Sequence, residues 1–266
     1  MDKIKKTIRR TLSALGASKK PAFGSSEASR IDLSLLDIIK NETTDRLRDA
    51  KVLEYDLLPK LGLNSEKTQF FPMELSSLFG KGLLIWQYPN QFSKYLVKLS
   101  SYKIESYMEI GVRHGGTFVT TVEYLNRFNP IRRAVAVDIN DCPSVVAYSK
   151  LNSAASFLKM NTATDRFREY IKANPVLDLV LIDGDHNETG CRSDFEAVKE
   201  RANMVVFHDI EPNAAPGVAK VWSDFKESSA ASHDFFEFRD QYESVQGRWL
   251  GIGLAVRKSM PRNSSR

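Results

Sequence analysis

Three of the four histidines in this 266-residue chain stand just behind short apolar runs, two of them beside acids. Gly111-Val-Arg-His-Gly-Gly116 follows one such run, Asp183-Gly-Asp-His186 another, and His208-Asp209 a third. Asp138 and Asn140 close a further run, and Asn161-Thr162 one more. An imidazole exchanges a proton near neutral pH. A carboxylate accepts hydrogen bonds from hydroxyl groups and amides. These residue types suit proton transfer and the capture of a polar ligand, if one edge of a fold gathers them.

The elements that must do the gathering are legible. Residues 104–110, 134–137, 156–160, 177–182 and 204–207 read as strands, and 117–128, 144–151, 165–173 and 191–202 as helices between them. Short apolar strands alternating with helices predict an α/β fold with a doubly wound, mostly parallel sheet. After a helix at 218–227 come two strand candidates, 235–238 and 250–256, with no good helix between them. They are expected to pair as an antiparallel edge, making seven strands. In open α/β sheets the ligand sits at the carboxyl ends of the strands, and every residue named above falls there.

The turn after the first strand narrows the ligand. Glycine lets a backbone pass close under a bound molecule because no Cβ intervenes. Asp138, at the end of the second strand, fits a ribose, whose vicinal hydroxyls it can accept; a solvated turn acid or a helix cap is the competing reading. The dinucleotide turn Gly-x-Gly-x-x-Gly admits a pyrophosphate at its second glycine. Here that position is Arg113 and the spacing is Gly111-x-x-x-Gly115. A nucleoside without a pyrophosphate fits better, which disfavours a dehydrogenase, and S-adenosylmethionine meets that description.

Four motifs, Glu109-Ile-Gly-Val-Arg-His-Gly-Gly-Thr117, Val135-Ala-Val-Asp138, Leu181-Ile-Asp-Gly-Asp-His186 and Phe207-His-Asp-Ile210, occur in that order. They resemble class I S-adenosylmethionine-dependent methyltransferases, which have a Rossmann-like fold. Within these the chain is more similar to the subgroup of sugar O-methyltransferases of macrolide and bacterial glycan biosynthesis. Pro216-Gly-Val-Ala-Lys-Val-Trp-Ser-Asp-Phe225 resembles that subgroup too, and the similarity spans roughly residues 104–257.

The resemblance implies that Glu109, Gly111 and Gly115 lie under the methionine part of the cofactor, with Asp138 at the ribose, Asn161 and Thr162 beside the adenine, and Asp183 also at the cofactor site. It implies O-methylation of a sugar hydroxyl of a glycan or glycosylated metabolite. It further implies a divalent metal, Mg²⁺ or Mn²⁺, held by Asp183 and the pair His208-Asp209, with His186 as the general base. Where such relatives carry an acid, this chain has His208. Magnesium prefers oxygen ligands, so the imidazole points toward Mn²⁺, Fe²⁺ or Zn²⁺, or toward a reaction without a metal. Asp185 reads as a turn acid and His233 as structural. Arg113 and His114 either line the acceptor pocket or are solvated loop residues. The competing functions are methylation of another small-molecule acceptor and a non-catalytic S-adenosylmethionine-binding module; the retention of Asp183, His186 and Asp209 argues against the second.

Three segments are expected: a basic tail and linker over 1–30, a helical extension or cap over 31–100, and the cofactor-binding domain over 101–260. The net charge of +5 is concentrated in the tail, where Lys3, Lys5, Lys6, Arg9, Arg10, Lys19 and Lys20 face Asp2 alone. The rest is near neutral, so nucleic acid is not an expected partner. Ile4, Ile8, Leu12 and Leu15 fall at helical spacing between the bases, which suits an anionic membrane surface. The same composition fits an organellar transit peptide or a solvated tail. With two cysteines, no secretory pattern and no apolar run of membrane-spanning length, a cytoplasmic enzyme is expected, working at the inner face of the membrane if the tail binds there. Its expected partners are a sugar or glycan acceptor and that membrane surface; self-association into a homo-oligomer stays open.

Overall fold

The computed structural model describes residues 31–66 and 68–263. The basic tail lies outside the described residues, and so do the readings attached to it. Among the described residues no helix is long and apolar enough to cross a membrane.

Seven strands form one sheet: β1 (Ser106–Ile110), β2 (Arg133–Asp138), β3 (Ala155–Lys159), β4 (Leu177–Ile182), β5 (Ala202–His208), β6 (His233–Phe238) and β7 (Ile252–Arg257). Their order is β3-β2-β1-β4-β5-β7-β6. The first five are parallel, and β7 runs antiparallel to both β5 and β6. This is the expected doubly wound sheet with an antiparallel edge, the class I methyltransferase arrangement.

Helices cover both faces, because parallel strands buried on two sides need two apolar layers. The period of two divides the strands between them. Tyr107, Ala134, Ala136, Leu179, Leu181, Met204 and Val206 enter one core. That core is shared with α1 (Pro89–Ser100), α2 (Gly116–Asn126), α3 (Pro143–Leu151) and the N-terminal segment. Met108, Ile110, Val135, Val137, Val180, Ile182, Val205 and Phe207 enter the other, beneath α4 (Asp165–Ala173), α5 (Glu188–Val198) and α6 (Pro216–Ser229).

Most boundaries shift by one to four residues from the sequence reading, and two of the shifts have a visible cause. The first strand begins at Ser106, because Asp178 of β4 accepts the amides of Glu105 and Ser106 and fixes the chain there. Helix α5 starts three residues before the expected Cys191. Asn187 caps it by accepting the Gly190 amide at 2.8 Å, and Ala202 pairs with Leu177 as the first residue of β5.

The segment before α1 holds short turns rather than long helices. They run from Leu33–Leu36 through Leu58–Leu61, with a π-helical turn at Leu53–Leu57, and then Thr68–Phe70 and Met73–Leu78. Its polar punctuation explains this: Asp32, Thr43 and Asp49 each cap a new turn with the side chain. Leu36, Ile39, Leu47 and Leu53 are nonetheless buried in the first core. Phe71 and Tyr88 are core residues as well.

Candidate active site

The register of the sheet aligns the strand ends. Ile110 pairs with Val137 on one side and Ile182 on the other, and Ile182 pairs with Phe207. One residue further on, Asp138, Gly111, Asp183 and His208 therefore form a single row. Neighbouring strands are about 4.8 Å apart, so the row spans roughly 14 Å from Asp138 to His208.

At one end of the row is the glycine turn. Gly111 (φ 86°) and Gly115 (φ 85°) are left-handed, and so is Arg113 (φ 48°). Gly115 caps α2, whose amides open toward the turn. Asp138 accepts the Arg113 amide at 2.9 Å and the Asn140 amide at 2.8 Å. Both carboxylate oxygens are thus held in place with lone pairs to spare for hydroxyl donors. Asn161 and Thr162 follow β3 beside it, and Asn161 is exposed.

Glu109 faces the first core and is 2 % exposed. Its one hydrogen bond to a side chain comes from the Tyr107 hydroxyl at 2.5 Å. Burial pushes its carboxyl up to about 8, against the opposing effect of that bond. It lies under the turn as a buried acid rather than on its surface.

The other end carries a cluster of ionisable groups. Asp183 Oδ1 is 3.2 Å from His186 Nε2 and 3.0 Å from His208 Nδ1. Asp209, held at a left-handed φ of 61°, places Oδ2 3.5 Å from His186 Nε2 and Oδ1 3.6 Å from His208 Nδ1. Burial opposes the charge on Asp183, but the two histidines outweigh it and hold the carboxyl well below its usual range. Burial likewise opposes the charge on His208, and Asp183 and Asp209 overcome it, raising the ring to about 9. The His186 ring is raised chiefly by its bond to Asp183. Because Asp183 is ionised it can only accept, so His186 Nε2 carries the proton in that bond. The neutral ring then offers Nδ1 as its free acceptor. The His186 side chain is 49 % exposed while that of His208 is 1 % exposed, so only His186 can meet a substrate directly.

The cluster fits a divalent cation. Asp183, His208 and Asp209 can each present a ligand atom within 4.8 Å of the others. Asp209 Oδ1 and His208 Nε2 are buried with no hydrogen-bond partner. Two carboxylates and one imidazole form a mixed donor set suited to Mn²⁺, Fe²⁺ or Zn²⁺. Asp185 is apart from this set: its carboxylate accepts the Asn187 amide and shapes the turn before α5. His233 packs between Phe225 and Phe235, a structural position.

A methyltransferase-domain family model matches residues 108–210, the span from β1 to just past β5. Residues 108–210 carry the methyltransferase domain of an S-adenosylmethionine-dependent enzyme. No curated protein matches the chain. Among solved structures, the methyltransferase is similar to an O-methyltransferase from Bacillus cereus in complex with S-adenosylhomocysteine. The two are 14 % identical with a TM-score of 0.47, covering 94 % of this chain and 97 % of that one. A putative O-methyltransferase from Klebsiella pneumoniae gives 14 % identity and a TM-score of 0.48, covering 96 % and 97 %. The methyltransferase MycE of the mycinamycin biosynthetic pathway, in complex with Mg and S-adenosylhomocysteine, gives 13 % and 0.44, covering 66 % of this chain and 50 % of that one.

Several contacts around the methyltransferase site had no signal in the sequence. Glu66, from the N-terminal segment, pairs with Arg113 and lies 3.1 Å from His114 Nε2. Arg113 also sits over the Trp86 ring at 5.0 Å. Glu211, just past the cluster, is buried and holds Arg239 at 3.2 Å and Arg248 at 3.1 Å. The Tyr88 phenol, pushed up by burial and then by the charge of Asp209, donates to the Phe70 carbonyl. The Phe70 ring packs against Trp249 at an interplanar angle of 30°, with centroids 4.0 Å apart. The residue types were legible, but none of these pairings follows a sequence period, so their partners were not.

Proposed function

We propose that this enzyme is an O-methyltransferase acting on a sugar hydroxyl of a glycan or glycosylated metabolite, with His186 as the general base. The observation that carries the reading is one half-exposed imidazole bonded to an ionised carboxylate at the strand ends, 3.2 Å from Asp183 and 3.5 Å from Asp209. A sugar hydroxyl is a weak nucleophile at neutral pH, and a positioned base accelerates its reaction by about 10²–10⁴. S-adenosylmethionine, when bound, supplies an electrophilic methyl group on a sulfonium. Asp138 would hold its ribose and the Gly111–Gly115 turn would pass beneath its methionine part, with Asn161 and Thr162 beside the adenine. Asp183 and Asp209 fix the Nε2 side of His186, which leaves Nδ1 to take the acceptor proton.

Asp183, His208 and Asp209 would hold a divalent ion, which supplies Lewis acidity to lower the pKa of the acceptor hydroxyl. A second reading has its own observation. His208 is buried, charged near neutral pH and bonded at 3.0 Å to Asp183. Its imidazolium can itself balance the two carboxylates, and then no metal is required.

The test is to incubate the full chain with methyl-labelled S-adenosylmethionine and a panel of sugars, sugar nucleotides, catechols and amines, with and without Mn²⁺ or Mg²⁺. Label on a sugar oxygen, lost in His186→Gln, is the expected result. Label on an amine, or on a catechol in preference to every sugar, would overturn the acceptor assignment.

A further inference from the structure

We propose that Glu66, in the N-terminal segment, is a positioning residue for the cofactor site: it acts through Arg113 to hold the glycine turn in its binding shape. The turn has an unusual member. Arg113 takes a left-handed φ of 48° between two glycines that also have positive φ. A side chain disfavours that conformation through contact of its Cβ with the following carbonyl. Yet this conformation directs the Arg113 amide onto Asp138 Oδ2 at 2.9 Å. Something must compensate.

The compensation comes from outside the domain matched by the family. The Arg113 guanidinium pairs with Glu66 and lies over the Trp86 ring at 5.0 Å. The second oxygen of Glu66 stands 3.1 Å from His114 Nε2, so one carboxylate grips two consecutive residues of the turn. Glu66 is itself anchored. Its amide donates to Asn64 Oδ1 at 2.6 Å, and the buried Asn64 donates its own amide to the Ile85 carbonyl at 3.0 Å. Leu63 forms β-bridges with Phe79 and Ile85. The same segment meets the turn again one step on, where a Cβ at Gly116 would stand 1.9 Å from the Leu83 carbonyl oxygen. An isolated exposed ion pair contributes little. This one is joined to a stacked ring, a second turn residue and a bridged backbone, and it acts on a conformation the chain would otherwise avoid.

The proposal separates two roles for Arg113: shaping the turn, or touching the cofactor with its guanidinium. Glycine adopts positive φ without help, so it distinguishes them. The experiment is calorimetric titration of the full chain with S-adenosylhomocysteine, comparing wild type, Glu66→Ala, Glu66→Asp, Arg113→Ala and the double variant Glu66→Ala/Arg113→Gly, with each melting point taken without ligand. Glu66→Ala and Arg113→Ala are expected to weaken binding about five- to tenfold, and Glu66→Asp to recover part of the loss. The double variant is expected within about twofold of wild type, because glycine takes the conformation freely. Wild-type affinity in Glu66→Ala would overturn the proposal. So would a double variant as weak as Arg113→Ala, which would place the guanidinium on the cofactor itself. Equal melting points alongside the affinity losses separate positioning from general stability. Failure of the wild type to bind at all would overturn the cofactor assignment, and this proposal with it.

Discussion

A Cβ built on Gly111 would stand 2.1 Å from the carbonyl oxygen of Asp183. The glycine turn after β1 and the acidic turn after β4 are therefore packed backbone to backbone, and the two halves of the candidate site are in contact at that point. The φ of 86° at Gly111 adds a second demand that only glycine meets without strain. Gly111→Ala is expected to lower the melting temperature by at least about 5 °C, as a loss of roughly 2 kcal/mol or more would. It should also weaken S-adenosylhomocysteine binding at least about tenfold, one unit of 1.4 kcal/mol. A variant that melts and binds like wild type would show that this contact does not shape the site.

Asp138 has two tasks that substitution can separate. It accepts the Arg113 and Asn140 amides, and it is proposed to accept the ribose hydroxyls. Asp138→Ala should lose both and bind S-adenosylhomocysteine at least about tenfold more weakly. Calorimetry alongside a melting curve checks this: a lower melting point with unchanged affinity would leave only the structural task.

His186 makes no packing contribution comparable to that of the buried His208, since its side chain is 49 % exposed. His186→Gln should keep cofactor affinity within about twofold while turnover falls by about 10²–10⁴, the range for loss of a general base. Retained turnover with any accepted substrate would remove His186 from the chemistry.

Metal binding has a clear signature. If Asp183, His208 and Asp209 form the donor set, Mn²⁺ should bind more tightly than Mg²⁺, since an imidazole replaces one oxygen ligand. The Mn²⁺ heat should vanish in both Asp183→Asn and Asp209→Asn. A flat Mn²⁺ titration of the wild type would favour the buried imidazolium as the balancing charge.

Away from the site, Glu237 governs acid sensitivity of the antiparallel edge. Its carboxylate accepts from Trp222 Nε1 and Lys226 Nζ, both at 2.6 Å, and from Arg239 Nε at 2.9 Å. Burial would raise it, but these partners outweigh burial and bring it down to about 2 from an ordinary 4.5. A lowered folded-state value means the stabilisation is full above the unfolded value and is lost as pH falls from about 4.5 toward 2. Glu237→Gln should be less stable than wild type at pH 7 and should converge with it near pH 2. Parallel denaturation curves across that window would contradict the assignment.

The sheet and the strand-end residues could be read from the sequence for a physical reason. Strands buried on both faces are near-continuous apolar runs, and the residue that ends each run marks the ligand edge. Asp138, Asp183, His186, His208 and Asp209 were singled out in that way as candidates, and the structure brings Asp183, His186, His208 and Asp209 together. What periodicity could not carry was pairing between distant loops. Glu66 and Arg113 are 47 positions apart in sequence and belong to no repeating pattern. The turns before α1 were equally hard, since their caps at Asp32, Thr43 and Asp49 cut an apolar pattern that otherwise reads as longer helices. The side-chain directions at the cluster were also beyond reach: sequence placed two histidines near Asp183 but could not say which is buried.

The strand order has a consequence for synthesis of the chain. Among the described residues β7 comes last in the chain, yet it lies inside the sheet, between β5 and β6. Until residues 252–257 are available, β5 has an open edge and β6 has no neighbour in the sheet. Exposed strand edges invite pairing with other chains. The sheet is therefore expected to close only once residues 252–257 are available: chains held before residue 252 should remain open to proteolysis, and chains extending past 257 should be resistant.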